Sequence, residues 1–141
     1  MKRPAKAPRK SAATSPALSV RVDFGAFGAI GPGKIRLLEL IARHGSIATA
    51  GRAMSMSYRR AWLLAESLND AFERPLITTQ RGGKAGSGAA LTPFGAAVIR
   101  RYRAIEADAG RAAAKHLAAL GRALAEKPPA TRRVSPPKRR G

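Results

Sequence analysis

The chain has 141 residues, enough for one ordinary domain, and 27 basic against 8 acidic side chains give it a formal net charge of +19. The lack of cysteine excludes disulfides, thiolate zinc sites and cysteine nucleophiles, and no apolar run approaches the length of a membrane span. Charge of this size seeks a polyanion, for which nucleic acid is the usual candidate.

The two ends differ from the middle. Residues 1–17 carry five Lys or Arg, three Pro and no acid, and residues 126–141 carry six Lys or Arg, four Pro and one Glu. Such stretches have too little apolar surface to offset the entropy cost of ordering, so both are expected to be disordered basic tails. Residues 18–125 are expected to form the domain. They still hold 16 basic and 7 acidic residues, a net +9. A membrane surface is the rival partner, but it calls for bulky apolar anchors, and the most basic segments hold Pro and Ala instead. Biased base content explains basic composition but not its uneven placement. The N-terminus lacks the apolar centre of a secretory signal, and its prolines disfavour a transit-peptide helix, so the expected location is cytoplasmic, on the nucleoid.

In chain order, Leu18, Val20, Val22 and Phe24 alternate with Ser19, Arg21 and Asp23, the period of a half-buried strand. The Gly-rich stretch 25–33 predicts a short hairpin or loop. From Lys34 the period becomes helical, with Ile35, Leu37, Leu38 and Ile41–Ala42 on the apolar face, Pro32 in the first turn and His44–Gly45 at the end. His44 there suits the negative end of the helix dipole. Ser46 is an N-cap for a second, short helix through Met54, with Ile47, Ala50 and Met54 inward. Ser57 caps a third, to about Phe72, whose inward face is Ala61, Leu64, Ala65, Leu68 and Phe72, widened by Trp62 and Leu63. Leu76–Gln80 predicts a strand. The four glycines in RGGKAGSG (81–88) favour turn geometry, and Ala89–Leu91 pairs back to complete a hairpin. Thr92–Pro93 starts a fourth helix, running over about 93–125. Val98, Tyr102, Ile105, Ala109, Ala113, Leu117, Leu120 and Leu124 make an apolar stripe along it.

This order predicts a mostly α fold with a small β wing: a winged helix-turn-helix with a long C-terminal dimerisation helix. Ala48, Ala50 and Gly51 are small enough to let the third helix cross closely over the second. Ser57, Tyr58, Arg59 and Arg60 cluster at the N-terminal end of that third helix, the end that a recognition helix puts into the major groove. An arginine fork matches guanine O6 and N7, and Ser46, Ser57 and the helix N-termini suit phosphates. Tyr58 is open to either packing or phosphate contact. Acids are missing where these elements lie: none occurs between Glu39 and Glu66, or between Glu73 and Glu106. A solvated face usually mixes both signs, so one-sign windows over helix and wing point to nucleic acid.

The run Gly45–Phe72, above all Ser57-Tyr58-Arg59-Arg60-Ala61-Trp62, together with Arg81–Gly95, resembles the N-terminal domain of the molybdate-responsive ModE regulators; the likeness covers about residues 18–118. The resemblance implies a LysR-like winged helix, dimeric through its helices, that binds palindromic operators. It places Tyr58, Arg59 and Arg60 on the reading helix and Arg81 and Lys84 on the wing. Ala85 and Ser87 stand where the family wing usually has glycine. Members that sense molybdate do so in domains after the fourth helix, where this chain has its Pro- and Arg-rich tail, so no molybdate binding is expected.

The expected function is a transcription regulator that contacts double-stranded DNA through Ser46, Ser57, Tyr58, Arg59, Arg60, Arg81 and Lys84. It is expected to form a homodimer through Ile105, Ala109, Ala113, Leu117, Leu120 and Leu124. The alternative is an architectural, nucleoid-associated protein in which the tails do most of the binding and sequence matters little. Nothing pairs a nucleophile with a base, so no catalytic residue, cofactor or metal is expected. His116 stands alone, and the Gly-rich tip lacks the Gly-Lys-Ser/Thr ending of a P-loop.

Overall fold

In the computed structural model, which describes residues 15–80 and 88–130, the alternating segment 18–24 yields only a two-residue strand, β1 (Val22–Asp23). Gly25 and Gly28 sit at φ +64° and +101°, where other residues are strained, and turn the chain back through a 3-10 turn at Gly25–Phe27 into β2 (Ala29–Ile30). The pairing is Val22 with Ile30 and Asp23 with Ala29. Upstream, the carbonyl of Val20 accepts instead from the Tyr102 hydroxyl at 2.6 Å.

Three helices follow. α1 (Pro32–His44) ends on Gly45 in the left-handed region at φ +70°, whose N–H donates to the Ile41 carbonyl at 2.8 Å. Its buried side chains are Ile35, Leu37, Leu38, Leu40 and Ile41; Ala42, expected on that face, is exposed, and Leu40 occupies it instead. α2 (Ile47–Ala53) starts on Ser46, whose Oγ accepts from the Thr49 N–H at 3.0 Å. α3 (Tyr58–Ala71) starts on Ser57, whose Oγ accepts from the Arg60 N–H at 3.1 Å. α2 and α3 cross where a Cβ on Gly51 would lie 2.8 Å from the Ala61 Cβ, so the crossing depends on small residues, as expected.

β3 (Ile77–Gln80) and β4 (Gly88–Leu91) pair antiparallel with Ile77 opposite Leu91 and Gln80 opposite Gly88. The Asn69 side chain fastens this hairpin to the C-terminal end of α3: its Oδ1 accepts from the N–H groups of Leu76 (2.8 Å) and Ile77 (3.0 Å), and its Nδ2 donates to the Ile77 carbonyl at 3.0 Å. α4 (Pro93–Arg122) starts on Thr92, whose Oγ1 accepts from the Gly95 N–H at 2.9 Å and donates to the Pro75 carbonyl at 2.8 Å. Val98 and Tyr102 of α4 are buried, and Arg103 holds Glu39 of α1 through two hydrogen bonds of 3.0 and 2.8 Å. The result is a mostly α, winged-helix-like fold with a small β wing and a long final helix.

Residues 18–112 make one compact unit. The described residues outside it, 15–17 and 113–130, make another, in which a Cβ on Gly121 would come within 2.9 Å of Pro16 Cδ.

Tyr102 is fully buried, and burial first, then the charge of Glu106, pushes its phenol above the ordinary tyrosine pKa. The folded state therefore holds this proton more tightly than the unfolded chain. Its contribution is complete below the unfolded value near 10 and fades as pH rises through the folded one. Tyr102→Phe strands the Val20 carbonyl and should cost about 1–2 kcal/mol at neutral pH. Thermal melts of both forms up to about pH 11 should show the gap closing; a gap that is constant with pH contradicts this account.

Candidate nucleic-acid interface

Capping aims the candidate residues. Because Ser57 Oγ is occupied by the Arg60 N–H, α3 begins at Tyr58, and Ser57, Tyr58, Arg59 and Arg60 all stand in solvent within its first turn. Tyr58 is 53 % exposed and takes no part in the buried core. Among the described residues neither arginine has a carboxylate partner, the ion pairs there being those of Arg21, Arg103 and Arg111. Ser46 is half-buried, with its Oγ used as the α2 cap. Arg81 and Lys84 lie outside the described residues.

Arg60 also lines a groove of about 700 Å³ shared with Arg21 and Lys34. Lys34 donates from Nζ to the Ala29 carbonyl at 2.9 Å, and burial, helped by the Arg21 charge, holds its pKa below the ordinary lysine value. On the other side of the α3 start, a cavity of about 190 Å³ opens between the α2 N-terminus, Tyr58, Trp62 and the strands of the hairpin.

Trp62 is the main departure from expectation. It does not widen the packed face of α3: it is 38 % exposed, and Leu63 is 51 % exposed. The buried line of α3 is Ala61, Ala65 and Leu68, because a crossing tight enough to press Ala61 on Gly51 has no room for an indole. Trp62 is displaced to the edge, beside the hairpin. The spacing did contain the clue, since Tyr58 and Trp62 are four apart and share a helix face, so an outward Tyr58 brings Trp62 out with it.

Along α4, Ile105 and Leu120 are exposed, and Ala109, Ala113 and Leu117 are half-buried. The helix stops at Arg122, so Leu124 lies in the turn beyond it, with its N–H on the Gly121 carbonyl.

No protein-family model matches the chain. It is 44% identical over 77 residues to the molybdenum-pterin-binding protein MopA of Rhodobacter capsulatus, covering 55% of this chain and 29% of that protein. It is 36% identical over 91 residues to the molybdenum transport protein ModE of Azotobacter vinelandii, covering 64% and 33%. The DNA-binding transcriptional dual regulator ModE of Escherichia coli (strain K12) is 38% identical over 71 residues, covering 50% and 27%. The chain thus spans about a third of the length of these relatives, from 27% to 33%. Over those shared stretches it is homologous to the ModE and Mop proteins.

Proposed function

We propose that this chain is a DNA-binding transcription regulator that reads a two-fold operator. The observation that carries the reading is the first turn of α3: Tyr58, Arg59 and Arg60 are exposed with no acid near them in sequence, and Tyr58 lines a cavity with Thr79, Gln80 and Gly88 of the wing strands. The Escherichia coli relative, named as a DNA-binding transcriptional regulator, supports it. In this reading Arg59 makes a bidentate base contact worth about 1–3 kcal/mol of discrimination, and the two basic ends follow phosphates without reading bases. A competition assay between the operator and scrambled duplexes, the operator first being found by genome-wide binding, tests both parts. Arg59→Ala should lose discrimination, and removal of residues 1–17 and 126–141 should weaken all duplexes alike. Discrimination that vanishes with the ends and survives Arg59→Ala would establish the architectural alternative.

The same reading makes the protein a homodimer through α4. The stripe from Ile105 to Leu120 leaves large apolar side chains in water, with Leu120 63 % exposed, and alanines between them allow a second helix to approach closely. A two-fold pairing sets two reading helices about one DNA turn apart. Sedimentation equilibrium should give a dimer that Leu117→Asp and Leu120→Asp convert to a monomer; a monomeric wild type at tens of micromolar removes both the dimer and the symmetric operator. No molybdate site is part of this reading, and a saturable heat on isothermal titration with molybdate would contradict it.

A further inference from the structure

The cavity beside α3 has a composition that phosphate contacts alone leave unexplained. Its lining joins the apolar Trp62, Ile47, Ala48 and Ala89 to the polar Ser46, Tyr58, Thr79 and Gln80. Trp62, the only tryptophan of the chain, is partly exposed in this lining, and Tyr58 stands one helical turn before it. Among the described residues neither ring stacks on another aromatic ring or on an arginine, and the Tyr58 hydroxyl has no hydrogen-bond partner. Exposed aromatic faces are costly to leave in water, and here they are held in place by the tight α2–α3 crossing.

The position identifies the occupant. With α3 in the major groove and the wing on the flanking backbone, one DNA strand has to pass between them, over this cavity. That strand offers a repeating unit of matching chemistry: a deoxyribose with an apolar C–H face, linked to a phosphate that accepts hydrogen bonds. A cavity of about 190 Å³ has room for one sugar and not for a base pair. Resting on the DNA reading above, we propose that this cavity seats one deoxyribose of the bound strand against Trp62, with the adjoining phosphate accepting from the Tyr58 hydroxyl.

The full chain, titrated with a mixed-sequence DNA duplex about 30 base pairs long, three helical turns, provides the test. Trp62 emission should change and saturate together with binding measured by anisotropy of a labelled duplex. Trp62→Ala should weaken binding about tenfold, the scale of an aromatic contact, on every sequence alike. Its salt dependence should match wild type, because a neutral contact releases no counterions. Trp62→Phe should recover most of the loss, and Tyr58→Phe should weaken binding by a few fold. Two results overturn the seat while leaving DNA binding intact: silent Trp62 emission at saturation, or a Trp62→Ala loss that varies with sequence. The emission measurement needs no variant and so does not depend on one folding. A wild type that binds no duplex at all would remove the DNA reading itself, and the seat with it.

Discussion

Gly95→Ala is expected to cost the domain at least about 3 kcal/mol, and Gly95→Val to leave it unfolded at ordinary temperature. A Cβ at this position would overlap the Leu76 carbonyl oxygen and lie 3.1 Å from its carbon. Both are backbone atoms with nowhere to go. Leu76 is fully buried, its N–H is held by Asn69, and its carbonyl already accepts from the Thr92 N–H at 2.9 Å. α4 therefore cannot make room without pulling β3 off the core. Gly110 is the matched control: it lies on the same helix, a methyl added there would meet nothing within 4 Å, and Gly110→Ala should stabilise by about 0.5–1 kcal/mol. Urea or thermal melts followed by circular dichroism check both, and a Gly95→Ala melting point equal to wild type would refute the close approach.

Affinity for duplex DNA is expected to collapse with salt. Under the DNA-binding reading, the net charge of +19 divides into +9 on residues 18–125, which include the acid-free first turn of α3, and +10 on the two basic ends. Each phosphate neutralised contributes about −0.9 to the slope of log K against log salt, so a slope steeper than about −5 means a loss near a thousandfold between roughly 50 and 200 mM. Anisotropy titrations across that range measure it. Affinity indifferent to salt would remove the electrostatic basis of the function.

What could be read from the sequence was local chemistry. Ser46, Ser57 and Thr92 each cap a helix as their positions predict, because a hydroxyl before a helical run meets the same free N–H groups wherever it occurs. The acid-free windows likewise located the exposed cluster of α3, since charge distribution needs no coordinates. What failed depended on through-space fit. The alternation at 18–24 looks like a full strand, but its partner strand ends at Ile30 because α1 begins at Pro32, so only two residues pair. Trp62 looks like core by period, and the closeness of Ala61 to Gly51 shows why it is not. Helical periodicity says which residues share a side; it does not say how wide a side the neighbouring helix leaves.

The Asn69 bridge has a mechanical consequence. Its contacts to Leu76 and Ile77 fix the root of the wing to the far end of α3, so helix and hairpin behave as the two jaws of a calliper whose gap is set in advance. In the DNA-binding reading a duplex has to adjust its own groove to that gap. Sequences that widen or bend at low cost then bind better, and selection extends to base pairs that no side chain touches.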